Sequence, residues 1–155
     1  MTLKVKALAL DVDGVLTDGG VWWGPDGQEW KRFSFADIMG VSLAVKAGLR
    51  VALISGEDSP LVDRFGQKFG LTDIFKGCRD KASALQRFAM QHGFSLDQIA
   101  FMGDDVNDIE AMRLAGYRGA PANANSAVLE VASFVATKPG GHGAVREWID
   151  VLLRG

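Results

Sequence analysis

The sequence predicts an α/β fold, a Rossmann-like parallel sheet sandwiched by helices, with a small β-hairpin flap. Short apolar runs alternate with helical stretches along the chain, and such alternation is typical of a parallel sheet with right-handed crossovers. The 155 residues are 48% hydrophobic and 23% charged, which is usual for one globular domain. We therefore expect a single domain over residues 1–155, with the flap at about residues 19–35.

Six apolar runs are the predicted strands. They lie at residues 5–10, 50–54, 74–75, 99–102, 117–120 and 134–136. The predicted helices between them lie at residues 38–47, 60–70, 82–91, 108–114 and 144–153. Ser59 is a candidate N-cap before Pro60, and Gly48 suits the left-handed conformation that ends many helices. Ser95 and Gln98 match a capping box for a short turn before the strand at 99–102.

The flap segment has no helical period. Two aromatic segments flank a Gly-Pro-Asp-Gly sequence at residues 24–27, which favours a hairpin turn. The hairpin carries Trp22, Trp23 and Trp30, which a small domain does not easily bury. They either pack onto the core or form a contact surface with another subunit, and we favour the subunit contact.

Charge and cysteine content exclude several classes of protein. A net charge of −2 gives no reason to expect nucleic acid or an anionic membrane as a partner. The single cysteine, Cys78, excludes an internal disulfide framework and fits a reducing compartment. No apolar stretch approaches the ~20 residues of a membrane span. Charges in the first residues exclude a signal peptide, so we expect a cytoplasmic protein.

Asp11 and Asp13 are the most informative residues of the sequence. They follow the first predicted strand two residues apart, so both side chains can point to one site at its carboxyl end. An Asx-type turn is the alternative interpretation. A calcium loop is excluded because it requires an oxygen ligand at Val15 and a glycine at Leu16. The pair indicates a Mg²⁺ site that contains a nucleophile.

Two further motifs supply groups that can bind phosphate. Ser55 and Gly56 follow the strand at 50–54, where a hydroxyl and an amide can both donate to a phosphate oxygen, although Ser-Gly is also a common turn. Lys81 stands at the start of a predicted helix, where the helix dipole disfavours a cation. It either points inward to a phosphate or lies solvated at the surface.

The last motif is an acidic cluster directly after the strand at 99–102. It contains Asp104, Asp105 and Asp108. Helix N-termini favour one or two carboxylates, but three beside a strand end form an oxygen-rich cluster that suits a hard cation.

This order of motifs resembles the haloacid dehalogenase superfamily of phosphotransferases over nearly the whole chain. The resemblance implies that Asp11 is the nucleophile, which forms an aspartyl-phosphate, and that Asp13 is the general acid and base. It implies a metal site for Mg²⁺ formed by Asp11, the Asp13 carbonyl and Asp104, with Asp105 nearby or acting through water. Ser55, the Gly56 amide and Lys81 would hold the phosphoryl group, and Asp108 would orient Lys81.

The chain leaves no room for the cap domain that most relatives carry. It resembles the capless group of 3-deoxy-octulosonate-8-phosphate phosphatases and nonulosonate-9-phosphate phosphatases in residues 16–20, 35–40 and 140–147. Those relatives are homotetramers in which hairpins meet and a neighbouring subunit helps to cover each site. The resemblance therefore implies a sugar-acid phosphate substrate and a homotetramer that assembles through the flap.

Specificity is expected to depend on Glu57, Lys68 and Arg146. Glu57 and Lys68 resemble the nonulosonate enzymes, as does the flap sequence at residues 27–31, whereas Ala36 and Ile38 match neither assignment. We favour a nonulosonate 9-phosphate over octulosonate 8-phosphate. Residues 140–147 form either a flexible loop or an amide-lined anion nest with Arg146 near a substrate carboxylate.

Two other functions compete with that of a Mg²⁺-dependent phosphatase. One is a non-catalytic domain that assembles or regulates a sialic-acid cytidylyltransferase. Retention of the acid and lysine motifs argues against it, because a binding domain is free to lose them. The other is a phosphomutase, which must shield its phosphoenzyme from water, and the short flap argues against that function.

Overall fold

The computed structural model describes residues 4–155, which contain a six-stranded parallel sheet flanked by helices. In chain order the strands are β1 (Ala7–Leu10), β2 (Trp22–Trp23), β3 (Glu29–Trp30), β4 (Arg50–Ile54), β5 (Asp73–Phe75), β6 (Ile99–Met102), β7 (Tyr117–Ala120) and β8 (Phe134–Val135). The sheet order is β5-β4-β1-β6-β7-β8. The predicted fold class is confirmed. The predicted domain also includes residues 1–3, which lie outside the described residues.

Helices cover both faces of the sheet. They are α1 (Phe35–Lys46), α2 (Pro60–Phe69), α3 (Lys81–His92), α4 (Ile109–Leu114), α5 (Ser126–Val131) and α6 (Ala144–Arg154). Side chains of a strand alternate between faces, so Leu8 and Leu10 enter a core with α1, α2 and α6. Ala7 and Ala9 enter the second core, with α3, α4 and α5. None of the helices in residues 4–155 is long and apolar enough to cross a membrane.

Several boundaries differ from the predicted ones because local capping sets them. Helix α1 begins at Phe35 rather than at residue 38, since the Ser34 hydroxyl accepts a hydrogen bond from the Ala36 amide at 3.2 Å. Helix α5 was not predicted, and it begins where Asn125 Oδ1 accepts from the Ala127 amide at 3.0 Å. The predicted N-cap at Ser59 and the capping box at Ser95 are both present.

The flap is the short antiparallel pair β2–β3, which lies outside the main sheet. Its three tryptophans, Trp22, Trp23 and Trp30, are 73%, 77% and 51% exposed, so they do not pack onto the core of this chain. In the described residues the flap is the only insertion between β1 and α1, in agreement with the predicted absence of a cap domain.

The strand order places β1 at a topological switch point. After β1 the chain builds β4 and β5 on one side and then crosses to build β6, β7 and β8 on the other. Open α/β sheets bind ligands in the crevice at the carboxyl ends of the strands beside such a point. Asp11, Ser55 and Gly103 directly follow β1, β4 and β6, and therefore meet there.

Candidate active site

A cavity of about 680 Å³ opens at the carboxyl ends of β1, β4 and β6. The predicted site residues that line it are Asp11, Asp13, Gly56, Glu57, Lys81, Asp104 and Asp105. Ser55 lies buried beside this lining, and its hydroxyl accepts a hydrogen bond from the Glu57 amide at 3.2 Å. The fold thus gathers groups that are more than ninety residues apart in the sequence.

Lys81 is the buried cation of the site. Although it is the first residue of α3, its side chain points inward and is only 2% exposed. Its Nζ lies 3.0 Å from Asp11 Oδ1 and 2.8 Å from Asp108 Oδ1. Burial disfavours the ammonium, but the charges of Asp11 and Asp108 outweigh burial and raise the pKa of Lys81. Lys81 therefore stays charged beside both carboxylates.

One lysine cannot balance the acids around it. Burial, reinforced by the charge of Asp108, raises the pKa of Asp11 well above its usual range. Burial, with the charges of Asp108 and Asp105, raises the pKa of Asp104 to about 6. Without a metal ion, Asp11 and Asp104 therefore retain a proton at a pH at which two ordinary carboxyl groups would both be ionised. A metal cation can replace that proton.

The acidic oxygens fit a hard metal ion. Carboxylate oxygens of Asp11, Asp104 and Asp108 lie within 4.8 Å of one another. Asp108 is fully buried, and its oxygens accept from Lys81 and from the amides of Asp104 and Asp105, the amide distances being 3.0 and 3.3 Å. Asp11 and Asp104 are therefore the side chains of this cluster that could hold Mg²⁺, while Asp108 orders the loop and holds Lys81.

Metal-free protein is expected to lose stability as the pH rises through about 6, where Asp104 loses its proton. The pKa of Asp104 is above its ordinary value of 3.8, so the folded state binds this proton more tightly than the unfolded chain does. Thermal unfolding with EDTA should give a lower melting temperature at about pH 7.5 than at about pH 5.5, and Mg²⁺ should stabilise more at the higher pH. Asp104→Asn should reduce the difference in melting temperature between the two pH values, with the raised pKa of Asp11 accounting for what is left, and an undiminished difference would contradict this assignment.

Gly14 gives the acidic residues room to approach each other. Its φ is +83°, and a Cβ there would overlap the Asp104 carboxylate. We expect Gly14→Ala to displace Asp104 and to lower kcat by about 10²-fold, because small displacements at a reacting centre are costly. Gly27→Ala is the matched control: Gly27 has a φ of +85° and nothing within 4 Å of its Cβ position. An equal loss of kcat in the two variants would show that the loss comes from backbone strain and not from displacement of Asp104.

The flap contributes one wall of the cavity, and the position of its Lys31 was not predicted. Val21, Trp23, Glu29 and Lys31 all line it. Lys31 Nζ lies 2.8 Å from Asp13 Oδ1, and the Lys31 side chain is 6% exposed. No local signal distinguishes Lys31 from a solvated lysine, because its neighbours on the flap are mostly exposed. Arg79 also lines the cavity and was not predicted.

Two of the expected specificity residues lie elsewhere in this chain. Lys68 lines a separate pocket with Phe33 and Arg64, and Arg146 Nε contacts Asp150 at 3.0 Å. Neither lines the active-site cavity of its own chain. The roles of both residues in substrate specificity stay predictions.

Residues 140–143 do not form the anion nest considered above. The Gly140 and Gly141 amides donate to Asn123 Oδ1 and the Val15 carbonyl, both at 3.1 Å. The His142 amide donates to Pro139, and the Gly143 amide donates to Asp37. This segment packs against the loop after β1 and leads directly into α6. Position 140 requires glycine, because a Cβ there would overlap the Gly14 carbonyl.

Comparison with known proteins places the chain in a family. Residues 51–149 match the profile of the haloacid dehalogenase-like hydrolases. The 3-deoxy-D-manno-octulosonate 8-phosphate phosphatase of Escherichia coli K12 is 34% identical over 150 residues, which cover 97% of this chain and 80% of that protein.

Solved structures agree with this placement. The 3-deoxy-D-manno-octulosonate 8-phosphate phosphatase of Moraxella catarrhalis, crystallised with magnesium ion, phosphate ion and KDO, has a TM-score of 0.95 at 35% identity and covers 98% of this chain and 87% of its own. A cobalt-bound deoxy-D-mannose-octulosonate 8-phosphate phosphatase of Haemophilus influenzae has a TM-score of 0.94 at 34% identity, with coverages of 97% and 88%. The predicted resemblance and the prediction of an enzyme are confirmed: the chain belongs to the haloacid dehalogenase-like hydrolase family.

Proposed function

We propose that the protein is a Mg²⁺-dependent phosphomonoesterase that hydrolyses a 2-keto-3-deoxy sugar-acid phosphate. The observation that carries the proposal is the buried Lys81 at 3.0 Å from Asp11, beside Asp104, at the edge of one cavity. A carboxylate nucleophile next to a phosphate dianion needs such positive charge. The named phosphatases among the relatives support the same reaction.

In the proposed mechanism Asp11 attacks the phosphorus atom and the bond from phosphorus to the substrate alkoxide breaks. Asp13 gives its proton to the leaving alkoxide, so an alcohol and an aspartyl-phosphate result. A water molecule then attacks the same phosphorus, Asp13 takes one of its protons, and Asp11 and inorganic phosphate are released. Ser55, the Gly56 amide and Lys81 hold the phosphoryl oxygens.

Mg²⁺ would be held by Asp11, Asp104 and the Asp13 carbonyl, with Asp105 nearby. When bound, it supplies positive charge that offsets repulsion between the nucleophile and the phosphate. The cations among the side chains lining the cavity are Lys31, Arg79 and Lys81, and the two lysines are paired with Asp13 and Asp11. In the described residues Arg79 makes no ion pair, so it is available to the carboxylate of a sugar acid.

Two substrates within this class are supported by different observations. The relatives named above support octulosonate 8-phosphate. Glu57, which resembles the nonulosonate enzymes, lines the cavity and supports a nonulosonate 9-phosphate. We also propose a homotetramer, because the exposed Trp22 and Trp23 beside the cavity would be covered by a neighbouring flap.

A substrate panel tests this proposal. We expect phosphate release from the 8-phosphate and 9-phosphate sugar acids, with Mg²⁺ dependence that EDTA abolishes, and the ratio of kcat/KM values identifies the preferred substrate. Absence of phosphate release from every member of the panel would refute the phosphatase and favour an assembly domain. Transfer of the phosphoryl group to a second position of the sugar, in place of release, would indicate a phosphomutase.

A further inference from the structure

Asp11 and Asp13 each form an ion pair with a different lysine. Lys81, from α3, lies 3.0 Å from Asp11 Oδ1, and Lys31, from the flap, lies 2.8 Å from Asp13 Oδ1. Both ammonium groups are withdrawn from solvent, since the Lys81 and Lys31 side chains are 2% and 6% exposed. Burying an ammonium is unfavourable unless it is paired, so the flap lysine is held in place by Asp13.

The flap is braced on both sides of Lys31. Glu29 accepts a hydrogen bond from Trp23 Nε1 at 3.0 Å within the hairpin and one from the Ser59 hydroxyl at 3.4 Å, which ties the hairpin to the N-cap of α2. On the other side, Arg32 Nη2 donates to the Gly141 carbonyl at 3.0 Å. Lys31 is therefore presented to Asp13 by a segment anchored at two separate points, and its position does not depend on the flexible lysine side chain alone.

We propose that Lys31 is a positioning residue, which holds Oδ1 of Asp13 so that Oδ2 faces the leaving-group oxygen of the substrate. This inference rests on the proposed function, in which Asp13 Oδ2 carries the proton that the leaving alkoxide receives while Oδ1 accepts a hydrogen bond from Lys31 Nζ. The Asp13 side chain is 30% exposed, so without the ion pair several of its rotamers are open to it. Proton transfer requires a donor within hydrogen-bond reach of the acceptor, and losing that geometry slows the step.

The test compares esters that differ in their need for a proton. An alkyl leaving group must be protonated as it departs, whereas p-nitrophenolate is stable as an anion. We expect Lys31→Met to lower kcat/KM for the preferred sugar-acid phosphate by about 10- to 100-fold. For p-nitrophenyl phosphate the loss should stay within about threefold, because kcat/KM reports the steps up to departure of the leaving group.

Three further measurements separate positioning from a structural role and from a contact with the phosphoryl group. Lys31→Arg can form the same ion pair and should recover part of the lost activity on the alkyl ester. The inhibition constant of inorganic phosphate should not change in either variant. Lys46→Met, which alters an exposed lysine in the last turn of α1, is the matched control and should behave as wild type. Circular dichroism and melting temperature report folding.

Parallel losses on the alkyl and aryl esters would overturn the inference, as would weakened inhibition by phosphate that accounts for the whole effect. If Lys31→Met does not fold, the ratio between the two esters is measured in Lys31→Arg and Lys31→Gln, and an unchanged ratio in both overturns it. Failure of the wild type on both sugar-acid phosphates contradicts the proposed function instead. In that case glycerol 3-phosphate replaces the sugar-acid phosphate as the alkyl ester. Parallel losses of kcat/KM on glycerol 3-phosphate and p-nitrophenyl phosphate would again overturn the inference.

Discussion

Replacement of Asp11 by asparagine is expected to abolish phosphate release and to leave the fold intact. Asparagine keeps the shape and the carbonyl oxygen that accepts from the Val12 amide at 2.7 Å, but it is no nucleophile toward phosphorus. The change also removes one of the carboxylates that compete for Lys81. We expect kcat to fall by about 10⁴-fold or more, as for other enzymes that lose their nucleophile.

The measurement is phosphate release under saturating Mg²⁺, together with a thermal unfolding curve. Asp97→Asn is the matched control, because Asp97 is exposed in a short turn remote from the cavity. Trapping of a phosphorylated protein should succeed with the wild type and fail with Asp11→Asn. Substantial turnover in Asp11→Asn would refute the nucleophilic role of this residue.

Replacement of Lys81 by methionine is expected to cost both stability and activity. Methionine fills a similar volume, but three carboxylates whose oxygens lie within 4.8 Å of one another lose their buried cation. Removing one member of a buried ion pair typically costs about 3–5 kcal/mol of unfolding free energy. Activity should fall as well, since Lys81 offsets the charge of the phosphoryl group in the proposed mechanism.

Urea unfolding with and without Mg²⁺ checks this expectation. The cation bound by Asp11 and Asp104 should return part of the lost stability, so Mg²⁺ should stabilise Lys81→Met more than the wild type. A Lys81→Met/Asp108→Asn double variant should be more stable than Lys81→Met alone, because it removes a carboxylate left without its partner. Equal unfolding free energies of the wild type and Lys81→Met would show that the ion pairs of Lys81 make no net contribution to stability.

The sequence was a sufficient guide to the sheet. The strands at residues 50–54, 99–102 and 117–120 were predicted with their observed bounds, since short apolar runs between turn residues are a local signal. The motif residues at strand ends could also be placed, because parallel strands bring their carboxyl ends to one edge. Boundaries set by a side-chain cap, such as the start of α1 at Ser34, were predicted less well.

Contacts between distant segments could not be predicted in this way. Helix α6 has no side-chain cap of its own at Gly143. Its first amides donate instead to Asp37, from Gly143 at 3.3 Å and from Arg146 at 3.0 Å, across more than one hundred residues of sequence. The Arg146 side chain contacts Asp150, one helical turn further on, and does not line the cavity. No periodicity or spacing encodes the contact between Asp37 and the start of α6.

The sequence by itself therefore determined the fold class, the family and the set of acids at the strand ends, because each depends on local pattern or on residue identity at a strand terminus. The resemblance also implied that Asp108 orients Lys81, and the two are in contact. The tertiary structure alone decided the other charge contacts, because it placed Lys31 of the flap beside Asp13 and Lys68 outside the cavity. Charge pairing in a buried site depends on distances in space, and these are set by the packing of the whole chain.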